Sequence, residues 1–234
     1  HPPLRRHARH VTGGAPPRLR GDLTQGPLLR TLMVFAMPQL VGNVLQSLNG
    51  SINAVWVGQL LGEQALAATA NANIVMFLLF ALVFGFGMAA TVRIGQAWGR
   101  QDVVAARRTL GAALGLTGLI ALATTVLGMV FAPQLLDWLA TPGASRAEAL
   151  AYLRVVFIAN PMTTAMTMIA MGLRGAGDAN TPLRFLILAT VLDVVLNPLL
   201  IMGFGPVPPL GIAGSALATV IATTIAFAAL LAWI

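Results

Sequence analysis

Apolar residues run along this chain in six long segments that short polar connections separate. A helix needs about 20 apolar residues to cross the hydrocarbon core of a bilayer, and each segment reaches that length. The segments cover approximately residues 32–57, 67–92, 110–131, 150–173, 185–204 and 210–234. This pattern predicts an all-α membrane protein with six transmembrane helices.

Polar residues within three of these segments recur at helical spacing. The first segment has a polar stripe at steps of four and three, formed by Gln39, Asn43, Gln46, Gly50 and Asn53. The sixth repeats hydroxyl groups every four residues, at Ser215, Thr219 and Thr223. The fifth places on one face Thr190, Asp193 and Asn197. Each side chain alone can simply join two helices by a hydrogen bond of about 0.6 kcal/mol. Three stripes together favour a hydrated cavity enclosed by the first, fifth and sixth helices.

Asp193 lies in an apolar run, residues 185–201, that has no other charge. A carboxylate at mid-bilayer depth costs about 2.5–3.5 kcal/mol on insertion scales, so it normally faces a protein cavity and marks a proton or ion path. Asn197 follows one helical turn later, directly before the helix-breaking Pro198. The alternative is an acid that only hydrogen-bonds a neighbouring helix. We predict a coupling-ion or proton site formed by Asp193, Asn197, Asn53 and Ser215. We predict that the substrate cavity is lined by Gln39, Asn43, Gln46, Thr190 and Thr219.

Composition supports a membrane protein and excludes several classes of function. Hydrophobic residues make up 57% of the chain and charged residues 9%, whereas soluble domains carry about 25% charged residues. The basic residues are all arginines that cluster between the apolar runs, so the net charge of +7 predicts no nucleic-acid partner. There is no cysteine, and the three histidines precede the first apolar run, which leaves no thiolate or histidine metal site. No phosphate loop, H-E-x-x-H or nucleophile elbow occurs, so we predict neither an enzyme nor a bound cofactor.

The distribution of arginine predicts the orientation of the helices. Arginines are concentrated before the first segment and around the second and fourth connections, whereas the other connections contain only Arg146 and Arg154. By the positive-inside rule, the N-terminus and the end of the sixth helix lie in the cytoplasm. We therefore expect a multi-pass protein of the inner (plasma) membrane. Residues 1–27, rich in Arg, Pro and Gly, predict a disordered cytoplasmic tail ahead of a transmembrane domain at 28–234.

Several short motifs follow one another in an order that is typical of one transporter family. The first helix contains Met37-Pro38 and then NAVWVG at 53–58, with ALAA at 65–68 after it. The later motifs are GQAWG at 95–99, LRGAGDANTP at 173–182, LNPLLI at 196–201 and LGIAGSALAT at 210–219. With these motifs, the chain from about residue 28 onward resembles the N-terminal lobe of the multidrug and toxic compound extrusion (MATE) transporters.

The resemblance implies one lobe of a twelve-helix transporter, in which two pseudo-symmetric lobes surround a cavity of alternating access. It implies a cation-coupled antiporter that exports amphipathic, often cationic, organic compounds. The coupling ion would be H⁺ or Na⁺, because a buried carboxylate can exchange a proton and a cluster of carboxylate, amide and hydroxyl oxygens equally suits Na⁺. The expected partners are the lipid bilayer, small organic substrates, and a missing C-terminal lobe or a second copy of the chain.

This chain departs from the family pattern in two ways. Members commonly carry an aspartate at the position of Asn53, and in some the pair on the fifth helix reads Asn then Asp, whereas here it reads Asp193 then Asn197. Either one acid has moved between helices, or the coupling ion has changed, or coupling has been lost. The chain also stops at Ile234, at about half the family's length. We therefore expect a fragment or truncated product, with a homodimer of half-sized chains as the alternative.

The loop after the fourth helix is expected to be structural. Its motif residues are Arg174, Gly175, Gly177, Asp178 and Pro182. The two glycines are expected to supply turn conformations, and Asp178 to accept hydrogen bonds from nearby backbone N–H groups.

Two other functions stay open at this point. A lipid-linked sugar flippase of the same superfamily would line its cavity with several basic residues, yet no arginine lies deep within a predicted helix. A non-transporting remnant or assembly partner is favoured by the missing second lobe and opposed by Asp193.

Overall fold

The computed structural model describes residues 28–138, 143–203 and 208–233, and side chains from residue 32 onward except 144 and 145. These residues form six helices and no strand. The helices are α1 (Leu28–Leu61), α2 (Glu63–Gly99), α3 (Val103–Trp138), α4 (Gly143–Gly175), α5 (Asn180–Met202) and α6 (Gly211–Trp233). The predicted all-helical fold is confirmed. The predicted disordered tail at 1–27 lies outside the described residues.

Five of the six helices, α2 to α6, are long and apolar enough to cross a membrane. Large apolar side chains cover the outside of the bundle, for example Phe77 at 74% and Leu119 at 68% exposure. An outer surface of this kind is what a lipid environment requires, so the chain is a multi-pass membrane protein.

Several helices extend beyond the apolar runs that predicted them. Thus α2 continues to Gly99 rather than to residue 92, and α3 begins at Val103 rather than at residue 110. Hydropathy marks only the part of a helix within hydrocarbon, whereas the helix itself ends where its backbone is capped. At its C-terminal end, α5 stops at Met202, within its predicted segment. It continues through Pro198, so this proline does not end the helix.

The connections α2–α3 and α4–α5 share one capping arrangement. After α4, the N–H of Gly177 donates to the Arg174 carbonyl at 3.0 Å and that of Asp178 to the Leu173 carbonyl at 2.9 Å. This is a Schellman motif, and Gly177 takes its left-handed position with φ of 88°. After α2, the N–H groups of Gln101 and Asp102 make the equivalent bonds. In each case the chain reverses within a few residues, so the two helices lie side by side.

An aspartate then caps the following helix in both connections. Asp178 Oδ1 accepts hydrogen bonds from the N–H groups of Asn180 (3.1 Å) and Thr181 (3.0 Å), and its Oδ2 accepts one from the Thr181 hydroxyl at 2.6 Å. Asp102 Oδ1 accepts from the N–H of Ala105 at 2.9 Å. Both carboxylates also lie at the positive end of a helix dipole, which favours their charge.

The expected turn conformation of Gly175 is wrong, because this residue is the last of α4. Its small size serves helix packing instead, since an added Cβ would lie 2.7 Å from the Thr91 carbonyl oxygen of α2. Arg174 is half-buried in the last turn of α4, where its charge suits the helix dipole. Pro182 is buried in the first turn of α5, where a missing N–H breaks no helical hydrogen bond.

We predict that Asp178→Ala destabilises the protein by about 1 kcal/mol, because three hydrogen bonds at the start of α5 are lost. Asp178→Asn is the matched control, since asparagine caps a helix as well as aspartate does. Thermal unfolding of the two purified variants checks this. Equal melting temperatures for both variants would contradict the capping role.

The arginine pattern predicts that the connections α1–α2 and α5–α6 lie outside the cell and α2–α3 inside. Single cysteines can report this directly, because the protein has none of its own. In intact cells, Gln64→Cys and Pro208→Cys should react with a membrane-impermeant thiol reagent, and Val104→Cys should react only after lysis. Labelling of Val104→Cys together with protection of Gln64→Cys would reverse the orientation.

Candidate functional site

Asp193 lies at the centre of a hydrogen-bond network between three helices. Its side chain is 2% exposed. Its Oδ2 accepts hydrogen bonds from the amide nitrogens of Asn49 at 2.9 Å and Asn53 at 2.8 Å, both on α1. Its Oδ1 accepts one from the hydroxyl of Thr219 on α6 at 2.8 Å. Donors from two other helices therefore satisfy both carboxylate oxygens.

Asn53 extends this network to Asn197, one turn further along α5. The amide nitrogen of Asn197 donates to Asn53 Oδ1 at 3.0 Å, and Asn197 is fully buried. Asn53 thus holds α5 at two levels, as a donor to Asp193 and as an acceptor from Asn197. The predicted pairing of the acid with Asn197 and Asn53 corresponds to this contact.

On α6, Ser215 and Thr219 take different positions. The Thr219 hydroxyl also lies 3.3 Å from the Ser215 carbonyl oxygen, which is an alternative acceptor one turn earlier. Ser215 is itself buried, whereas Thr219 is exposed. We expected Thr219 in the substrate cavity, but its hydroxyl hydrogen-bonds the acid.

Close packing of α5 and α6 brings Thr219 within reach of Asp193. Gly214 makes this packing possible, because a Cβ at this position would lie 2.4 Å from the Leu200 carbonyl oxygen. On α1, Asn49 and Asn53 are four residues apart and therefore reach the same carboxylate from one helix face.

Asn49 was not among the site residues predicted from the sequence. Steps of three and four residues lead from Gln46 to Asn49 and on to Asn53, so the same periodicity also fits this position. The predicted stripe included Gly50 in place of Asn49, and glycine has no side chain that could form a hydrogen bond. A preference for hydrogen-bonding side chains over glycine would have found Asn49.

Two buried acceptors in the network have no hydrogen-bond donor: Asn49 Oδ1 and Asn197 Oδ1. A buried carbonyl oxygen without a donor costs free energy, and most such atoms have a partner in native proteins. These oxygens lie on the two amides at the ends of the hydrogen-bonded chain Asn49–Asp193–Asn53–Asn197. They are of the ligand type that hard cations prefer.

A cavity of about 220 Å³ lies beside the network. Its wall includes Asn53 of α1, Thr69 and Asn73 of α2, Tyr152 of α4 and Ser215 of α6. This cavity differs from the one expected between α1, α5 and α6, because α2 and α4 form much of its wall and no residue of α5 lines it. At Gly214, α6 lies against the backbone of α5 at Leu200, with no space for a Cβ between them.

The other residues expected in a substrate cavity stand apart from this site. Asn43 and Gln46 are exposed on α1, and Gln39 and Thr190 are half-buried. None of the four hydrogen-bonds to Asp193, and none lines the 220 Å³ cavity. Gln39, Asn43 and Gln46 continue the polar stripe of α1 away from the acid.

The network provides one carboxylate and neutral oxygens for any cation. Among the residues described, no group of three or more His, Cys, Asp or Glu side chains could hold a metal ion. Among the described residues, the ion pair joins Arg146 to Asp137 and not to Asp193. No arginine in this part of the chain is paired with Asp193. The acid is therefore balanced by dipoles and not by a charged side chain.

Apolar helices around one buried, hydrogen-bonded acid define a membrane protein with an intramembrane polar site. The chain belongs to the MatE family, which it matches over residues 38–199. The resemblance found in the motifs is thus confirmed.

Similar proteins share most of this chain but are longer. It is 35% identical over 205 residues to the probable multidrug resistance protein YoeA of Bacillus subtilis, a match that covers 88% of this chain and 44% of the relative. It is 28% identical over 207 residues to the FAD transporter of Shewanella oneidensis, covering 88% and 46%. The chain therefore spans about half the length of the curated relatives it matches.

Solved structures share the fold. A MOP superfamily transporter from Pyrococcus furiosus superposes with a TM-score of 0.81 at 24% identity, over 90% of this chain and 46% of the other. An outward-facing multidrug resistance MATE family transporter superposes with a TM-score of 0.80 at 24% identity, over 87% and 44%. The six helices thus have the arrangement of half of such a transporter.

We predict that Asn53→Ala destabilises the protein more than Asn49→Ala does. Loss of Asn53 removes a donor to Asp193 and the acceptor of the fully buried Asn197 amide, and each unsatisfied buried group costs about 1–3 kcal/mol. Loss of Asn49 removes one donor together with an oxygen that has no partner. Thermal unfolding in one detergent ranks the two variants, and the reverse order would show that Asn53 does not join the two levels of the site.

Proposed function

We propose that this chain is half of a cation-coupled antiporter that exports amphipathic organic compounds by alternating access. In this proposal Asp193 is the coupling site, assisted by Asn49, Asn53, Asn197 and Thr219. The observation that carries it is a carboxylate, 2% exposed, in a membrane-spanning helix with no cationic partner among the described residues. Ionisable residues in such positions are functional by default.

The charge on Asp193 would decide how α1 is attached to α5. As a carboxylate it accepts three hydrogen bonds, two of them from α1. A protonated carboxyl group presents an O–H donor in place of an acceptor, so a donor facing that oxygen loses its partner. Na⁺ would act in a similar way by occupying the lone pairs that the amides now use. Uptake of a cation therefore weakens the attachment of α1, and this is the step that would couple cation entry to substrate release.

The coupling ion in this proposal is H⁺ or Na⁺. One carboxylate suffices for proton exchange. The two unpartnered amide oxygens, Asn49 Oδ1 and Asn197 Oδ1, also provide ligands that suit Na⁺. The small cavity lined by Tyr152 and Asn73 offers the cation a polar approach to Asn53, which itself touches the acid.

We propose that the exposed polar side chains of α1, Asn43 and Gln46, face the substrate. Exposure in this half of the fold leaves them free for contacts with a second lobe, with a second copy of the chain, or with substrate. Relatives are named for multidrug resistance and for FAD transport. We propose amphipathic organic cations for this chain, because the acid is a negative group with no basic partner among the described residues.

The test is transport by Asp193→Asn in the full-length protein, reconstituted in vesicles with an imposed proton or Na⁺ gradient. The substitution keeps the size of the side chain and removes its ability to change charge. We expect gradient-driven efflux of a lipophilic cation to be abolished under both gradients, while expression and binding of the cation are retained. In the wild type, only the gradient of the true coupling ion should drive efflux.

Asp178→Asn is the matched control, because it removes an acid at the start of the same helix and keeps the cap of α5. It should transport as the wild type does. If Asp193→Asn transports normally under both gradients, Asp193 is a structural acid and the proposal is wrong. FAD added to the same vesicles separates the two substrate classes, and efflux of FAD alone would contradict the organic-cation proposal.

A further inference from the structure

A second cavity is larger than the one beside Asp193 and is lined by none of the residues that hydrogen-bond to this acid. It has a volume of about 610 Å³ and lies between α2 and α3, near the connection that joins them. Phe86 and Leu116 line the end further from this connection, Arg100 lines the end near it, and Arg93 and Arg108 lie between them. We call this cavity the α2–α3 groove. The groove is therefore apolar at one end and basic from its middle to the other end.

The arginines of the groove have no anionic partner in the part of the chain that the structure describes, where the ion pair present is Arg146–Asp137. Arg93, Arg100 and Arg108 are all exposed. The acid in the groove is Asp102, whose Oδ1 is engaged by the N–H of Ala105. Three guanidinium groups thus stand against one carboxylate, and the groove attracts anions.

The dimensions of the groove match one leaflet of a bilayer. Phe86 and Arg100 are fourteen residues apart on α2, which corresponds to about 21 Å along the helix. Half of the hydrocarbon core is about 15 Å thick. With Arg100 at the level of the headgroups, Phe86 therefore lies among the acyl chains. Arg93 lies about 10 Å deeper than Arg100, two turns along the same face.

Arg93 and Arg108 are the reason to expect a phosphate. A guanidinium group close to the hydrocarbon boundary needs a counter-ion or water, and it binds phosphate oxygens in a bidentate manner. The connection α2–α3 is predicted to be cytoplasmic, and the cytoplasmic leaflet carries the anionic lipids of the membrane. A phospholipid places its phosphate at the arginines and an acyl chain along the apolar wall at the same time.

We propose that the α2–α3 groove is a binding site for an anionic glycerophospholipid of the cytoplasmic leaflet. Arg93, Arg100 and Arg108 bind its headgroup, and the wall formed by Phe86, Ala89 and Leu116 holds an acyl chain. Occupancy fixes the end of α2 against α3. This site is independent of the acid on α5, so its test uses stability and not transport.

The experiment measures the melting temperature of the full-length protein in detergent as phosphatidylglycerol or phosphatidylcholine with the same acyl chains is added. Phosphatidylglycerol should stabilise the wild type at lower concentration. The variant Arg93→Gln/Arg100→Gln/Arg108→Gln should lose this preference, with about a fivefold weaker apparent affinity for each arginine removed. The matched control, Arg107→Gln/Arg154→Gln/Arg184→Gln, removes as many exposed charges outside the groove and should keep the preference.

Two further arms identify the ligand. Ala89→Phe fills the apolar wall without changing any charge and should also weaken the effect of phosphatidylglycerol. Glycerol 1-phosphate, which has the headgroup chemistry without acyl chains, should not stabilise the protein at the same concentration. Stabilisation by glycerol 1-phosphate equal to that by the lipid would show a site for a free anion and overturn the proposal.

Two other outcomes would also overturn it. If the control triple variant loses the preference as fully as the groove variant does, the effect comes from overall surface charge. The other is an equal fall in the melting temperature of the groove variant, relative to the wild type, in phosphatidylcholine and in phosphatidylglycerol. In that case another part of the protein, and not an anionic lipid, occupies the groove.

Discussion

One buried carboxylate constrains how the helices of this chain can pack. Asp193 lies in an otherwise uncharged span, and a polar group there must find its hydrogen bonds within the protein. Asn49 and Asn53 of α1 and Thr219 of α6 provide them. Helices α1 and α6 are consequently held against α5 at one depth. The bonds that compensate the charge are also the bonds that hold α1, so stability and any response to a cation have the same origin.

Much of the fold could be predicted from the sequence, because the length of an apolar run is a direct consequence of bilayer thickness. The meeting of the three polar stripes at Asp193, through Asn53 and Thr219, could be predicted for a similar reason, since unpaired polar groups do not face lipid. The ends of the helices could not, because capping residues such as Asp102 and Asp178 set them and hydropathy does not register caps.

The helices that line the cavity beside the acid also could not be predicted from sequence patterns. The shape of this cavity depends on which helix pairs come close, and that is decided by single small residues at crossings. Gly214 lets α6 approach the backbone of α5, and the cavity lies on the side of α2 and α4. Nothing in the periodicity of α5 or α6 distinguishes this glycine from others. The α2–α3 groove could not be predicted for the same reason. It forms only when two helices that carry arginines lie side by side.

In the proposed mechanism, the charge of Asp193 controls the attachment of α1 to α5. Spin labels on Gln59→Cys of α1 and Met202→Cys of α5 test it, because both side chains are exposed and residues 1–234 contain no other cysteine. The distance distribution between the labels is measured by electron paramagnetic resonance with Asp193 and with Asp193→Asn, which imitates the neutral acid. We predict a broader or displaced distance distribution for Asp193→Asn. The wild type should adopt the same distribution when its coupling ion is added. Identical distributions in all three samples would contradict the claim.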